Sequence, residues 1–88
     1  MDNANRVVDV VIPAARFPAL KAREVRRLLT KLGYQEARRR GSHRILVATG
    51  RLRIVFAFHD NVEVPPKALR HMLVNRAGLT DEEIQDLL

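Results

Sequence analysis

Residues 38–47 read Arg-Arg-Arg-Gly-Ser-His-Arg-Ile-Leu-Val. Gly41-Ser42 is a turn pair, and Arg38, Arg39, Arg40 and Arg44 stand around it. A single histidine, His43, follows the turn directly. Arginine grips phosphate with a rigid fork of donors that stays charged at any physiological pH. Histidine exchanges a proton near neutrality. Together they are the residue types that hold a phosphodiester and move a proton on it. RNA needs little more to be cut, because its 2′-hydroxyl is a built-in nucleophile. Arginines can stabilise the extra negative charge of the transition state. The same stretch also fits a plain charged hairpin whose histidine bonds only to backbone. The residues alone leave both readings open.

Other chemistries find less support. The chain has no cysteine, which removes disulfides, thiolate zinc sites and a cysteine nucleophile. The histidines, His43, His59 and His71, show no His-x-x-x-His spacing and no paired carboxylates join them. No metal and no cofactor is therefore expected. There is no glycine-rich phosphate loop. Ser42 and His43 are neighbours, and adjacent strand residues face opposite ways, so they make a poor nucleophile–base pair. His71 reads as a helix surface residue, and His59, just before Asp60-Asn61, as a structural residue at a strand end. Leu69–Leu88 has the outline of a helix-turn-helix, but its second helix would open on Asp81-Glu82-Glu83. Three carboxylates driven toward DNA phosphates argue against that use.

Those residues sit in a chain of 88, enough for one small domain. Only 5% of it is aromatic, so valine, leucine and isoleucine must build the core. The net charge of +6 is unevenly placed. Between residues 16 and 53, twelve basic residues meet only Glu24 and Glu36, whereas Asp81, Glu82, Glu83 and Asp86 crowd the other end. One part of the surface should attract polyanions while the C-terminal end repels them. The N-terminus lacks the pattern of a leader, and no apolar run reaches the roughly 18 residues of a membrane span. A soluble, cytoplasmic protein with no membrane contact is expected.

The elements that must position His43 follow from periodicity. Val25, Leu28, Leu29 and Leu32 obey helical spacing, so a helix is predicted over 20–32, stopped by Gly33. Three strands follow: a polar one over 34–39, then 44–49 and 52–58, with turns at Gly41-Ser42 and Gly50-Arg51. Such short connections require an antiparallel meander. A second helix should start after Pro65-Pro66, bury Leu69, Met72 and Leu73, and end at Gly78. Thr80-Asp81-Glu82-Glu83 is a capping box that opens a last short helix. The Arg6–Ile12 run is β-branched and stays unassigned, so residues 1–16 form an N-terminal extension before a domain at 17–88.

From about Pro18 to Leu88 the chain resembles the HicA (YcfA-like) toxins, mRNA-cleaving partners of HicB antitoxins in bacterial type II toxin–antitoxin modules. The resemblance runs through "KAREVRRLLTKLGY", "RRRGSHRIL", "RIVFAFH", "PPKALRHML" and "RAGLTDEEIQDLL". It implies an α+β, double-stranded-RNA-binding-like α-β-β-β-α fold, a three-stranded antiparallel sheet with helices on one face. It also implies a metal-independent endoribonuclease with His43 catalytic, Gly41 shaping the turn, and His59 near the site. Arg38, Arg39, Arg40, Gly41, Ser42 and Arg44 would bind mRNA, and a HicB-like antitoxin with an acidic surface would neutralise the protein. A noncatalytic RNA-binding module on the same fold is the alternative. Three features depart from the family pattern: Leu20-Lys21-Ala22 stands in place of a Ser or Thr helix cap, Phe56-Ala57-Phe58-His59-Asp60 stands where the third strand often ends in Pro-x-His-Gly, and residues 1–16 have no counterpart.

Overall fold

A computed structural model describes residues 16–88. The unassigned Arg6–Ile12 run lies outside them, as does the N-terminal extension except Arg16. The elements are β1 (Leu20–Lys21), α1 (Ala22–Lys31), β2 (Gln35–Arg40), β3 (His43–Val47) and β4 (Ile54–Phe56), then β5 (Glu63–Val64), α2 (Pro66–Arg70) and α3 (Asp81–Leu87). The fold is α+β, with β2, β3 and β4 forming an antiparallel sheet in that order. It is compatible with the double-stranded-RNA-binding-like arrangement expected above. A two-residue ladder between β1 and β5 accompanies it, so Leu20 and Lys21 belong to a strand and the helix predicted over 20–32 starts only at Ala22.

Apolar burial places the helices on one face of this sheet. Leu46, Ile54 and Phe56 share a core with Val25 and Leu29 of α1, Leu69 of α2 and Ile84 of α3. Full burial of such a side chain is worth about 1.5–3 kcal/mol, which makes this layer the main source of stability.

The helix ends show how a small domain satisfies its free backbone groups. At its start α1 has no side-chain cap. Instead the Ala22 and Arg23 N–H groups donate to the carbonyls of Val62 (2.8 Å) and Asp60 (3.2 Å). A distant loop thus does the work of the missing Ser or Thr. At its other end Gly33, with φ of 99°, lets the Gly33 and Tyr34 N–H groups turn back onto Thr30 and Leu29, both at 3.0 Å. That is a Schellman closure. The helix predicted after Pro65-Pro66 does form, but its second half (71–76) widens into a π-helix, with Ala77 N–H bonding to Met72 O at 2.8 Å. The capping box predicted for α3 is present on both sides, Thr80 N–H to Glu83 Oε1 at 2.8 Å and Glu83 N–H to Thr80 Oγ1 at 3.2 Å. Hydrogen bonds from the Thr80 N–H, which contributes most, and from the Thr80 side chain hold the Glu83 carboxyl below its ordinary range.

The connection after β3 is longer than the Gly50-Arg51 turn predicted, running over residues 48–53. Its backbone is engaged elsewhere. Arg51 donates from Nη1 to Ala77 O (2.7 Å) and from Nε to Leu32 O (3.3 Å), the last carbonyls of α2's continuation and of α1. Leu52 N–H donates to Arg76 O (3.1 Å), and the Tyr34 hydroxyl donates to Leu52 O (2.7 Å). Arg76 Nε returns to Arg53 O (2.9 Å). Strand β4 can begin only after these bonds are made, which is why it starts at Ile54 rather than Leu52.

Two outcomes test this account. Arg51→Ala should lower stability in urea unfolding by roughly 2–3 kcal/mol, because two bonds from a charged donor are lost. Arg51→Lys should recover only part, since a compact ammonium lacks the guanidinium's span. Burial raises the Tyr34 phenol above its ordinary value, with the Arg51 and Arg76 charges pulling the other way. A folded value above the unfolded one stabilises the protein below pH about 10, and that support is lost as pH rises through the folded value. Tyr34 is the chain's one tyrosine, so phenolate absorbance should develop late on alkaline titration, together with unfolding. Ionisation at the ordinary value in a still-folded protein would contradict a buried, bonded hydroxyl.

Candidate functional site

Gly41 and Ser42 form the two-residue turn between β2 and β3, flanked by the Arg40–His43 pair. Tight hairpins of this length need φ above zero at the first turn position, and Gly41 supplies it at 60°. Both turn residues and His43 are exposed.

Pairing register then decides what His43 can reach. Cross-strand partners share a face of the sheet, and neighbours along a strand alternate. Arg40 pairs with His43 and Arg38 with Ile45. Val55 of β4 pairs with Ile45 and is 52% exposed, which marks this face as the open one. Arg39 pairs with Arg44, and Arg44 with the fully buried Phe56, so this pair belongs to the helix-covered face. The four arginines gathered in the sequence are thus divided two and two. Arg38 and Arg40 lie with His43. Arg44 is tied to Glu36 at 3.1 Å, with its side chain only 21% exposed, and Arg39 Nε leans back on Gly41 O at 3.4 Å. A bulge at Ala37, between the Glu36 and Arg38 pairings, accompanies the change of register.

His59 follows β4 at the end of the sheet where His43 begins β3. Its carbonyl accepts the Val62 N–H at 3.0 Å, closing a turn over 59–62. That turn is pinned to α1 by Arg23 to Asn61 Oδ1 (3.0 Å) and by the Arg26–Asp60 ion pair. The loop that caps α1 therefore also fixes His59. His71 is exposed at the start of the π-helical segment, apart from the hairpin in the chain.

Sequence reasoning missed two features of the open face. Val47 is 41% exposed and joins Ile45 and Val55 in an apolar stripe beside His43. Arg53, exposed just before β4, adds a cation near it. In the other direction, Arg26, Arg27 and Arg51 counted toward the basic surface but are held by Asp60, Glu24 and helix carbonyls. No helix among the described residues is long and apolar enough to cross a membrane.

The sequence of residues 22–79 matches the family described as HicA toxin of bacterial toxin–antitoxin systems. The chain belongs to the HicA toxin family. The matched region runs from the first residue of α1 to Leu79, and so contains the whole sheet and the hairpin. No curated protein and no solved structure gives a match. As a HicA toxin, the protein is the toxin component of a toxin–antitoxin module, and an antitoxin is its partner.

The turn geometry can be tested apart from any activity. A Cβ at residue 41 would meet no atom within 4 Å, so only backbone strain opposes substitution. Gly41→Ala should cost about 1 kcal/mol in thermal or urea unfolding. Gly41→Asn should cost less, since asparagine tolerates the left-handed region.

Proposed function

We propose that this HicA toxin is a metal-independent endoribonuclease that cleaves mRNA on the open face of its sheet, with His43 as the catalytic proton-transfer group. The observation that carries the reading is the pairing of His43 with Arg40 beside Arg38: one titratable group and two cations that have no acidic partner among the described residues, on one exposed face. The arginines draw the RNA backbone in and offset charge on the phosphorus-bound oxygens. His43 takes the proton from the 2′-hydroxyl or gives one to the leaving 5′-oxygen. The nucleophile belongs to the substrate, so the protein needs no serine or bound hydroxide. In this reading His59, at the same end of the sheet, is the site-proximal histidine. The partner that silences this face is a HicB-like antitoxin with acidic side chains, and the compartment is the cytoplasm, where mRNA is found.

Arg39 and Arg44 bind RNA less directly in this scheme, since their pleat face is turned toward the helices. A noncatalytic RNA-binding module would use the same cations, and the two readings separate under mutation. His43→Ala should stay folded by circular dichroism and keep most of its RNA affinity. Its single-turnover cleavage rate, measured in excess chelator, should fall by roughly 10²- to 10⁴-fold. Cleavage like the parent's would leave His43 an ordinary hairpin residue. Arg38→Gln with Arg40→Gln should flatten the salt dependence of RNA binding by about 1.4 in log–log slope, about 0.7 per contact. Arg39→Gln with Arg44→Gln should change it less. Equal effects would remove the division by face.

A further inference from the structure

The two edges of the sheet are not alike. β2 is one edge, wholly exposed, carrying Arg38, Arg39 and Arg40 and broken by the bulge at Ala37. Clustered charge and a bulge make a poor template for another strand. β4 is the other edge, pairing only with β3 among the described residues, and its residues Ile54, Val55 and Phe56 carry no charge. Beside it runs a groove of about 320 Å³ between the edge and the second helix. Its floor is apolar, with Ile54, Phe58, Ala68 and Met72, and its rim is basic, with Arg53, Arg76 and His71; no acidic residue among the described ones lines it.

We propose that the β4 edge and this groove are a docking site for an acidic, extended segment of a partner protein, which adds to the sheet as a fourth strand. Main-chain bonds to an edge supply affinity whatever the sequence, and pockets for alternate side chains supply choice. An aliphatic side chain of the added strand enters between Phe58, Ala68 and Met72. Carboxylates on either side of it meet Arg53 and Arg76. Charge decides against the nearest competitors. A second copy of this chain would bring its own Arg53 and Arg76 against the same basic rim. RNA would find cations but little to stack on, because the Phe58 ring is already packed edge-to-face against Phe56, with centroids 5.7 Å apart. The antitoxin that a toxin of this family answers to is the partner on which to test the site. The proposal does not depend on the ribonuclease reading, since the groove lies beyond the His43–Arg40 pair.

The test uses the toxin in complex with its antitoxin. Amide hydrogen exchange of the complex should show protection across residues 54–58 relative to free toxin, whatever happens at the hairpin. Arg53→Glu combined with His71→Glu changes exposed side chains only and should leave the free toxin's fold unchanged by circular dichroism. It should weaken antitoxin binding at least 10-fold in calorimetry. An acidic strand should also make that binding salt-sensitive, and the double variant should lose part of the sensitivity. Unchanged exchange over 54–58, or unchanged affinity in the double variant, overturns the proposal. So does a single-stranded RNA oligonucleotide that protects residues 54–58 in the free toxin, which would make the groove a nucleic-acid surface. Loss of RNA cleavage in His43→Ala, or its persistence, bears on the other reading alone.

Discussion

Two helix ends converge on one guanidinium. The last carbonyls of a helix lack partners within it and carry the negative end of its dipole. In this fold the ends of α1 and of the π-helical continuation of α2 lie close enough for Arg51 to bond Leu32 O and Ala77 O together. Removing that cation would leave two sets of carbonyls facing each other across a nearly apolar interior. Much else follows from the clasp. It draws residues 48–53 over the helix ends, hands Leu52 O to the Tyr34 hydroxyl and Leu52 N–H to Arg76 O, and so sets where β4 can begin. The start of β4 fixes its register on β3, and that register puts Val55 and Ile45 on the open face with His43. A residue remote from the hairpin thereby helps decide what the hairpin's histidine sits beside.

The site is governed by pleating more than by proximity in the chain. Arg38, Arg39 and Arg40 are consecutive and all exposed, yet the middle one lies on the pleat face that carries Phe56 and the outer two on the face that carries His43. A cluster of like charges would repel itself if all its members shared a face. Alternation, together with the Glu36 carboxylate against Arg44, spreads that repulsion over two sides of the sheet.

Much of this was legible in the residues because local chemistry dictates it. Gly33, Gly41 and Gly78 mark places where the backbone turns left-handed, and each ends or joins an element as expected. Thr80 and Glu83 announce their capping box by spacing alone. The basic hairpin around His43 was equally plain. What stayed hidden depends on partners distant in sequence. "RILVAT" and "LRIVFAF" are apolar on both faces, so their pattern does not say which side is covered, and the exposed stripe of Ile45, Val47 and Val55 went unseen. Arg51 looks like any other arginine until Leu32 and Ala77 are brought to it. The start of α1 looked uncapped because its acceptors come from Asp60 and Val62. The widened turn at 71–76 has no proline or glycine within it to betray it.

That closure of α1 has a consequence for how the protein is made. The helix is early among the described elements to leave the ribosome, but the carbonyls that satisfy its opening N–H groups belong to residues synthesised about forty positions later. The donor that closes its far end, Arg51, also arrives well after the helix itself. Contacts of such sequence separation form only after a long loop has been closed. The nascent toxin therefore cannot complete its first helix until most of its domain has been translated. By the same ordering, the turn bearing His43 is synthesised before the contacts that will hold it rigid. A growing chain therefore carries the charges of its basic hairpin before it has the fold that would organise them.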